Sequence, residues 1–280
     1  MHRLQLLRSQ RHLQASIVTG VVTTADSSAM VKFGSSSVLA AVKLELFGTA
    51  ADAPDQGRLQ VLVEMAPLCS SSTRPGRPSR AASSIQVRWR QEGTIPGRPR
   101  RHRPVLLLPS WQEHVSRCLI ASGAMDQRQL SIAKGVSAWV AYLDMYVLDA
   151  DGSLHDVALA AAVAALQGLK LPAVTVNDDG YVLPPGQAPP GSRVIPERAV
   201  GLAKVPLSLT CGVFGAHFLA DPTAFEESLV HTTVTVALDG AGALVGMFKP
   251  GGVDVDLLTL QACIEAAKLR HKELSKLLQA

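Results

Sequence analysis

Residues Gln129 to Gly168 constrain the chain more than any other stretch. Trp139, Val140, Ala141, Tyr142, Leu143, Met145, Tyr146, Val147 and Leu148 form an apolar run broken only by Asp144. That is too evenly apolar for a half-exposed strand, so it reads as a central strand with both faces covered. Asp149-Ala150-Asp151-Gly152-Ser153 then supplies a tight turn, and Val157 to Leu166 restart as an Ala-rich helix that Gly168 terminates. A strand that passes through a glycine turn into a helix gathers backbone N–H groups at the turn, where a phosphate could sit.

The rest of the chain supports an α+β reading. Ile17–Val22, Ala29–Phe33 and Val38–Phe47 are β-branched or alternating runs parted by polar turns, which predicts a three-stranded antiparallel meander. Leu59–Met65 alternates as a further strand, Val174–Asn177 as a short one, and Leu207–Leu219 as a strand or hairpin. Thr223 with Glu226 forms a capping box for a short helix, and Asp239-Gly240-Ala241-Gly242 joins a hairpin. Leu257, Leu260, Ile264, Ala267, Leu274 and Leu278 recur at helical spacing, with Lys268, Arg270, Lys272 and Lys276 read as its solvated positions. The Pro/Gly-rich residues 181–200 read as a linker between a first domain, 15–180, and a second, 201–280.

Charge is informative only where it is concentrated. The net charge is +4, yet Arg74, Arg77, Arg80, Arg88, Arg90, Arg98, Arg100, Arg101 and Arg103 share one segment whose only acid is Glu92, leaving the remainder slightly acidic. The global balance therefore argues nothing about nucleic acid. Cys69, Cys118, Cys211 and Cys263 lie far apart without metal-ligand spacing, and read as reduced core thiols of an intracellular protein. No metal or other cofactor is expected. No apolar run approaches the roughly 20 residues that a bilayer demands, so no membrane partner is expected. No GxSxG elbow, HExxH pair or Walker loop occurs.

Ala25-Asp26-Ser27-Ser28-Ala29, Val31-Lys32-Phe33-Gly34, Val38-Leu39-Ala40-Ala41-Val42-Lys43, Pro67-Leu68-Cys69-Ser70-Ser71, Arg74-Pro75-Gly76-Arg77-Pro78, and the run Tyr142 to Ser153 with its Ala-rich helix form a recurring set of segments. Together they resemble the RNase PH family, and within it the non-catalytic ring subunits of the eukaryotic RNA exosome. The resemblance implies the RNase PH fold, related to domain 2 of ribosomal protein S5, with two lobes of mixed sheets and packed helices. It also implies a ring of related subunits with cap subunits, a central channel for RNA, and a place in the nucleus and nucleolus as well as the cytoplasm. The processes implied are rRNA maturation and mRNA turnover. Lys43, Arg74 and Arg77 are the RNA-contact candidates.

Residues 86–111 interrupt this pattern. Ala81–Gln86 resembles the start of a family helix that Gln112–Leu119 continues, so about 25 residues of Arg/Pro-rich sequence are inserted and expected to lack regular structure. A retained intron or gene-model error, a basic RNA-contacting loop and a merely solvated loop remain three readings of it.

Active members of the family resemble the central turn but run alanine-aspartate-glycine-glycine-threonine-arginine. Here Ser153, Leu154 and His155 stand at the last three of those positions, and Val87 meets the place of a second phosphate-binding arginine. Leucine has no hydroxyl, and a neutral histidine holds phosphate less well than arginine. Asp221 matches one family carboxylate but lies in an Asp-Pro setting that suits a turn. Ser153, Leu154, His155 and Asp221 therefore read as a degenerate phosphate site, with no catalytic residue. The rival reading is an active phosphate-dependent 3′ to 5′ exoribonuclease.

Overall fold

The apolar run becomes the strand on which the larger sheet is built. The computed structural model describes residues 14–49, 54–65, 69, 86–90, 103–107, 109–183, 192–215 and 217–279, with backbone alone at 86–90, 103–107, 109–110 and 279. Strands β1 (Ala15–Thr19), β2 (Ser27–Phe33) and β3 (Ser36–Gly48) form the expected meander. They are followed by β4 (Arg58–Met65), β5 (Gln86–Arg90), β6 (Arg103–Leu107), helix α1 (Pro109–Ala121), a 3-10 turn at Gln127–Leu130, β7 (Ser131–Ala133) and the central β8 (Ser137–Asp149). The sheet runs β1-β2-β3-β8-β4-β6-β5, with β7 also on β8. β8 is antiparallel to β3, with Leu44 opposite Ala141, and parallel to β4, with Val61 opposite Leu143.

Helix α2 (Leu154–Gln167) packs on β2, β3 and β8 of this sheet and, on its other side, on a strand of a second sheet, β14 (Leu207–Phe214). That sheet has the order β15-β14-β16-β17, from β14 (Leu207–Phe214), β15 (His217–Ala220), β16 (Thr232–Leu238) and β17 (Leu244–Phe248). Helix α3 (Ala224–Leu229) lies between β15 and β16, with the Thr223–Glu226 capping box present, and α4 (Leu257–Gln279) covers β14 and β16. A helix that is apolar all round must be buried all round, and α2 is so because two sheets enclose it. Its core continues without a break into the second lobe through Leu207, Ala237 and Leu274.

Four sequence expectations change. The central strand is covered unevenly: Ala141, Leu143, Met145 and Val147 are sealed beneath α2, whereas on the other face Ala138 and Val140 are buried but Tyr142, Asp144 and Tyr146 are only half-buried and Leu148 is exposed. The apolar run overstated burial because the tyrosines count as apolar yet tolerate a wet face. The insertion is not wholly without regular structure, since β5 and β6 pair antiparallel and β6 joins β4 through Leu106 and Leu107. Pairing with a free sheet edge satisfies backbone groups whatever the composition of the added strands. The helix start expected at Ala81 lies outside the described residues, except that Gln86 is in a strand; the helix itself begins at Pro109.

Residues 181–200 are also more than a connector. β11 (Val182–Leu183) and β12 (Arg193–Ile195) flank β10 (Val174–Val176), and β13 (Arg198–Ala199) pairs with β9 (Lys170–Leu171). Arg198 donates to the carbonyls of Gln129 and Ser131, which ties the segment to the first lobe. Finally, Arg270 is not solvated. It is 6% exposed, its guanidinium lies 5.4 Å from the centre of the Phe33 ring, and it sits 3.8 Å from the Asp221 carboxylate.

Candidate functional site

The turn between β8 and α2 is pressed against the segment entering α3. Gly152 has φ +84°, and a Cβ there would lie 2.2 Å from the Pro222 carbonyl oxygen, so only glycine fits. Ser153 follows in the left-handed region at φ +49°, and Asp221 shares that region at φ +56°. Two turns in the rarer conformation thus face each other across the joint between the lobes.

Two of the turn's amide donors already have partners in the chain. The Ser153 N–H donates to Glu227 Oε1 at 2.8 Å, and the Asp151 N–H donates to the Ser36 hydroxyl at 2.9 Å. The Ser36 hydroxyl donates to the Gly152 carbonyl at 2.8 Å, and the Ser153 hydroxyl to the Pro222 carbonyl at 3.2 Å. From the other lobe, the Ala224 N–H donates to Asp151 Oδ1 at 3.3 Å. A carboxylate of the chain therefore occupies the place that an anion would take at the start of α2.

The electrostatics of the joint are unfavourable to a further anion. Burial raises the Glu227 pKa, and the carboxylates of Asp151 and Asp221 push the same way. Asp156, inside the first turn of α2, is pushed up to about 7 by burial, although it accepts from the Ser208 hydroxyl and the Thr210 N–H at 2.6 Å each. Proximity of like charges and loss of water both favour the protonated acid. Arg270 is the cation that offsets Asp221.

His155 is turned into a ring cluster. Its centroid lies 5.6 Å from Trp111, 5.0 Å from His114 and 5.2 Å from Phe248, and its Nε2 is shut off from water without a hydrogen-bond partner. Burial, with a smaller contribution from His114, holds its pKa well below the ordinary histidine value. His114 is likewise lowered to about 4 by burial and then by Arg117. Two neutral imidazoles packed between α1, α2 and β17 are poor phosphate ligands. Beside them, burial pushes the Cys118 thiol up to about 12, which makes it inert at neutral pH. The adjoining groove, lined by Glu113, Arg117, Val245 and Met247 among others, has about 80 Å³ of space and is too small for a nucleotide.

Of the residues singled out in sequence, Ser153, Leu154, His155 and Asp221 converge at this joint. Lys43 does not. It is exposed on β3 opposite Tyr142, with its amine 3.3 Å from the Thr24 carbonyl. Tyr142 is seven residues before Asp149, so the lysine stands about 24 Å from the turn along the strand. Arg74 and Arg77 lie outside the described residues, as does the Pro67–Leu68 part of the family-like segment. Glu227, Asp156, His114 and Arg270 were missed. Asp156 was detectable as the one acid within the Ala-rich helix, and Glu227 as the second acid of the capped turn. Arg270 was detectable as the one cation three residues after Ala267 and four before Leu274, on the apolar face of its helix. Among the described residues no group of three or more His, Cys, Asp or Glu could hold a metal, and no helix is long and apolar enough to cross a membrane.

Two α+β lobes closed on one shared helix, with a glycine turn at their joint, define an RNase PH-type protein. Models of the 3′ exoribonuclease family match the chain in the same two parts, domain 1 over residues 13–172 and domain 2 over residues 204–270. The chain belongs to the 3′ exoribonuclease, or RNase PH, family. It is 29% identical to the exosome complex component Rrp42 of Archaeoglobus fulgidus, over 92% of this chain and 86% of the relative. It is also 29% identical to the exosome complex component rrp43 of Schizosaccharomyces pombe, over 88% of this chain and 79% of the relative. Among solved structures, a chain of the Archaeoglobus fulgidus exosome with RNA bound to the active site superposes with a TM-score of 0.72 at 24% identity, covering 95% of this chain and 88% of that one.

Proposed function

We propose that the chain is a non-catalytic subunit of an RNA exosome ring, which forms interfaces with related subunits and part of the wall along which RNA passes. The observation that carries this reading is the filled turn. Glu227 takes the Ser153 amide, Leu154 stands where a hydroxyl is expected, and His155 is packed against Trp111, His114 and Phe248. Phosphorolysis needs cations that hold an attacking phosphate beside an anionic RNA backbone, and at this joint Arg270 is taken up by Asp221, beside further acids and neutral rings. The relatives support the ring: they are exosome components from an archaeon and a yeast, matched over most of their length.

On this reading residues 15–180 and 201–280 are the two RNase PH domains. The other ring subunits, cap subunits and RNA are partners, and Lys43, Arg74 and Arg77 are RNA contacts. Processing of rRNA and turnover of mRNA place the protein in nucleus, nucleolus and cytoplasm. Affinity purification of the tagged chain from its own cells, followed by mass spectrometry, is the test. Recovery of other RNase PH-type ring subunits supports the reading. A homo-oligomer without them that releases nucleoside diphosphates from RNA when phosphate is added would replace it with the enzyme.

A further inference from the structure

Strands β5 and β6 add an arm to the larger sheet. Their register sets Arg88 opposite Val105, Trp89 opposite Pro104 and Arg90 opposite Arg103. Alternate residues of a strand belong to opposite faces, so Arg88, Arg90 and Arg103 share one face of the hairpin, while Val87, Trp89, Pro104 and Leu106 share the other. The arm is anchored at one end only. β6 meets β4 through Leu106 opposite Met65 and Leu107 opposite Glu64, whereas Arg103 is three residues further out, about 10 Å past the last residue of β4. Met65 in turn lies beside Val147 of β8, two residues before Asp149. The arginine end of the arm therefore extends from the same end of the sheet as the Gly152 turn.

Like charges directly opposite each other weaken a hairpin, and the Arg90–Arg103 pair has no acid within its own strands to offset it. A polyanion would relieve that repulsion. Arginine suits this task because its planar fork donates two parallel hydrogen bonds to one phosphate. Among the described residues β5 is the outer strand of the sheet, and charges along an outer strand discourage pairing with another protein strand.

We propose that the β5–β6 hairpin is a docking arm for single-stranded RNA, which it holds by the phosphodiester backbone on the face carrying Arg88, Arg90 and Arg103, at the sheet end that bears the Gly152 turn. The choice of RNA over an acidic protein rests on the ring function proposed above. The arm is separate from the filled joint: it positions RNA through charge and performs no chemistry.

The test titrates a fluorescent oligouridylate with the full chain, alone and assembled with its ring partners, from about 50 to about 200 mM salt. The triple variant R88Q/R90Q/R103Q is compared with R88K/R90K/R103K. Each phosphate contact on a single strand contributes about 0.7 to the slope of log affinity against log salt, so the Gln variant should lose about 2 of that slope and the Lys variant little. Circular dichroism and ring recovery confirm that both variants fold; if the Gln variant does not, the three single Arg→Gln variants replace it, each expected to lose about 0.7. An unchanged slope in folded Gln variants overturns the arm. Binding of polyglutamate of the same length as tightly as RNA overturns RNA as the occupant. Ring partners recovered with an unchanged slope sink the arm alone, whereas a lost slope in a chain that recovers no partners leaves the arm standing and sinks the ring.

Discussion

Helices α2 and α4 are both rich in Leu and Ala, yet they do opposite work. α2 buries Leu154 and every residue from Asp156 to Leu166 between two sheets, so it has no wet side. α4 covers β14 and β16 and meets the larger sheet only at one end, near β1 and Phe33. It buries Cys263, Ala267 and Leu274 while leaving Leu258, Leu269 and Leu277 exposed. The difference is one of position: a helix shared by two lobes joins their cores, whereas a covering helix exchanges one face with water. Each nevertheless buries one charged residue, Asp156 on α2 and Arg270 on α4, and both serve the joint.

Four experiments sharpen this contrast. Removing the cation should cost most. Arg270→Ala leaves Asp221 buried beside other acids, and loss of one partner of a buried pair typically costs about 3–5 kcal/mol. Urea denaturation measures it, and a loss under about 1 kcal/mol would mean that water reaches the joint. Next, Leu159→Ala in α2 should cost about 2–5 kcal/mol, because a helix enclosed on all sides cannot close the cavity. If it instead matches the same change at the exposed Leu269, α2 is not enclosed as described.

Asp156 gives an intermediate effect with a pH signature. Asp156→Ala leaves the Thr210 N–H without its acceptor, at about 1–3 kcal/mol, while Asp156→Asn keeps an acceptor and should lose less. In the wild type the folded chain holds the Asp156 proton up to about pH 7, whereas the unfolded chain releases it near 3.8, so this group lowers stability as pH rises between those values. His114 acts with the opposite sign. Its folded pKa of about 4 lies below the unfolded value of 6.5, so stability falls as pH drops below about 6.5, and His155 acts in the same direction. The gain in urea midpoint from pH 5 to pH 7 should therefore be larger in Asp156→Asn than in the wild type; an equal or smaller gain would falsify the raised pKa. The smallest effect belongs to α4's wet face. Lys268→Ala breaks an exposed pair with Glu265 and should cost under about 1 kcal/mol, and a larger loss in the monomer would mean that this face is packed.

The sequence by itself determined the elements. The meander, the central strand, the glycine turn, the all-apolar helix, the Thr223–Glu226 cap and the Asp239–Gly242 hairpin follow from periodicity and turn chemistry, which act over a few residues. The family was legible from local segments for the same reason. Only the tertiary structure decided what those residues meet. That Glu227 reaches the Ser153 amide across 74 positions, that His155 packs on Trp111, His114 and Phe248, and that Arg270 turns inward to Asp221 all depend on how two lobes close on α2. The hairpin within the insertion has the same origin, because the open edge of β4 gave an Arg/Pro-rich segment a partner that its own composition did not suggest. Local sequence fixes which groups are available, and burial and pairing between distant segments fix which of them remain free to bind.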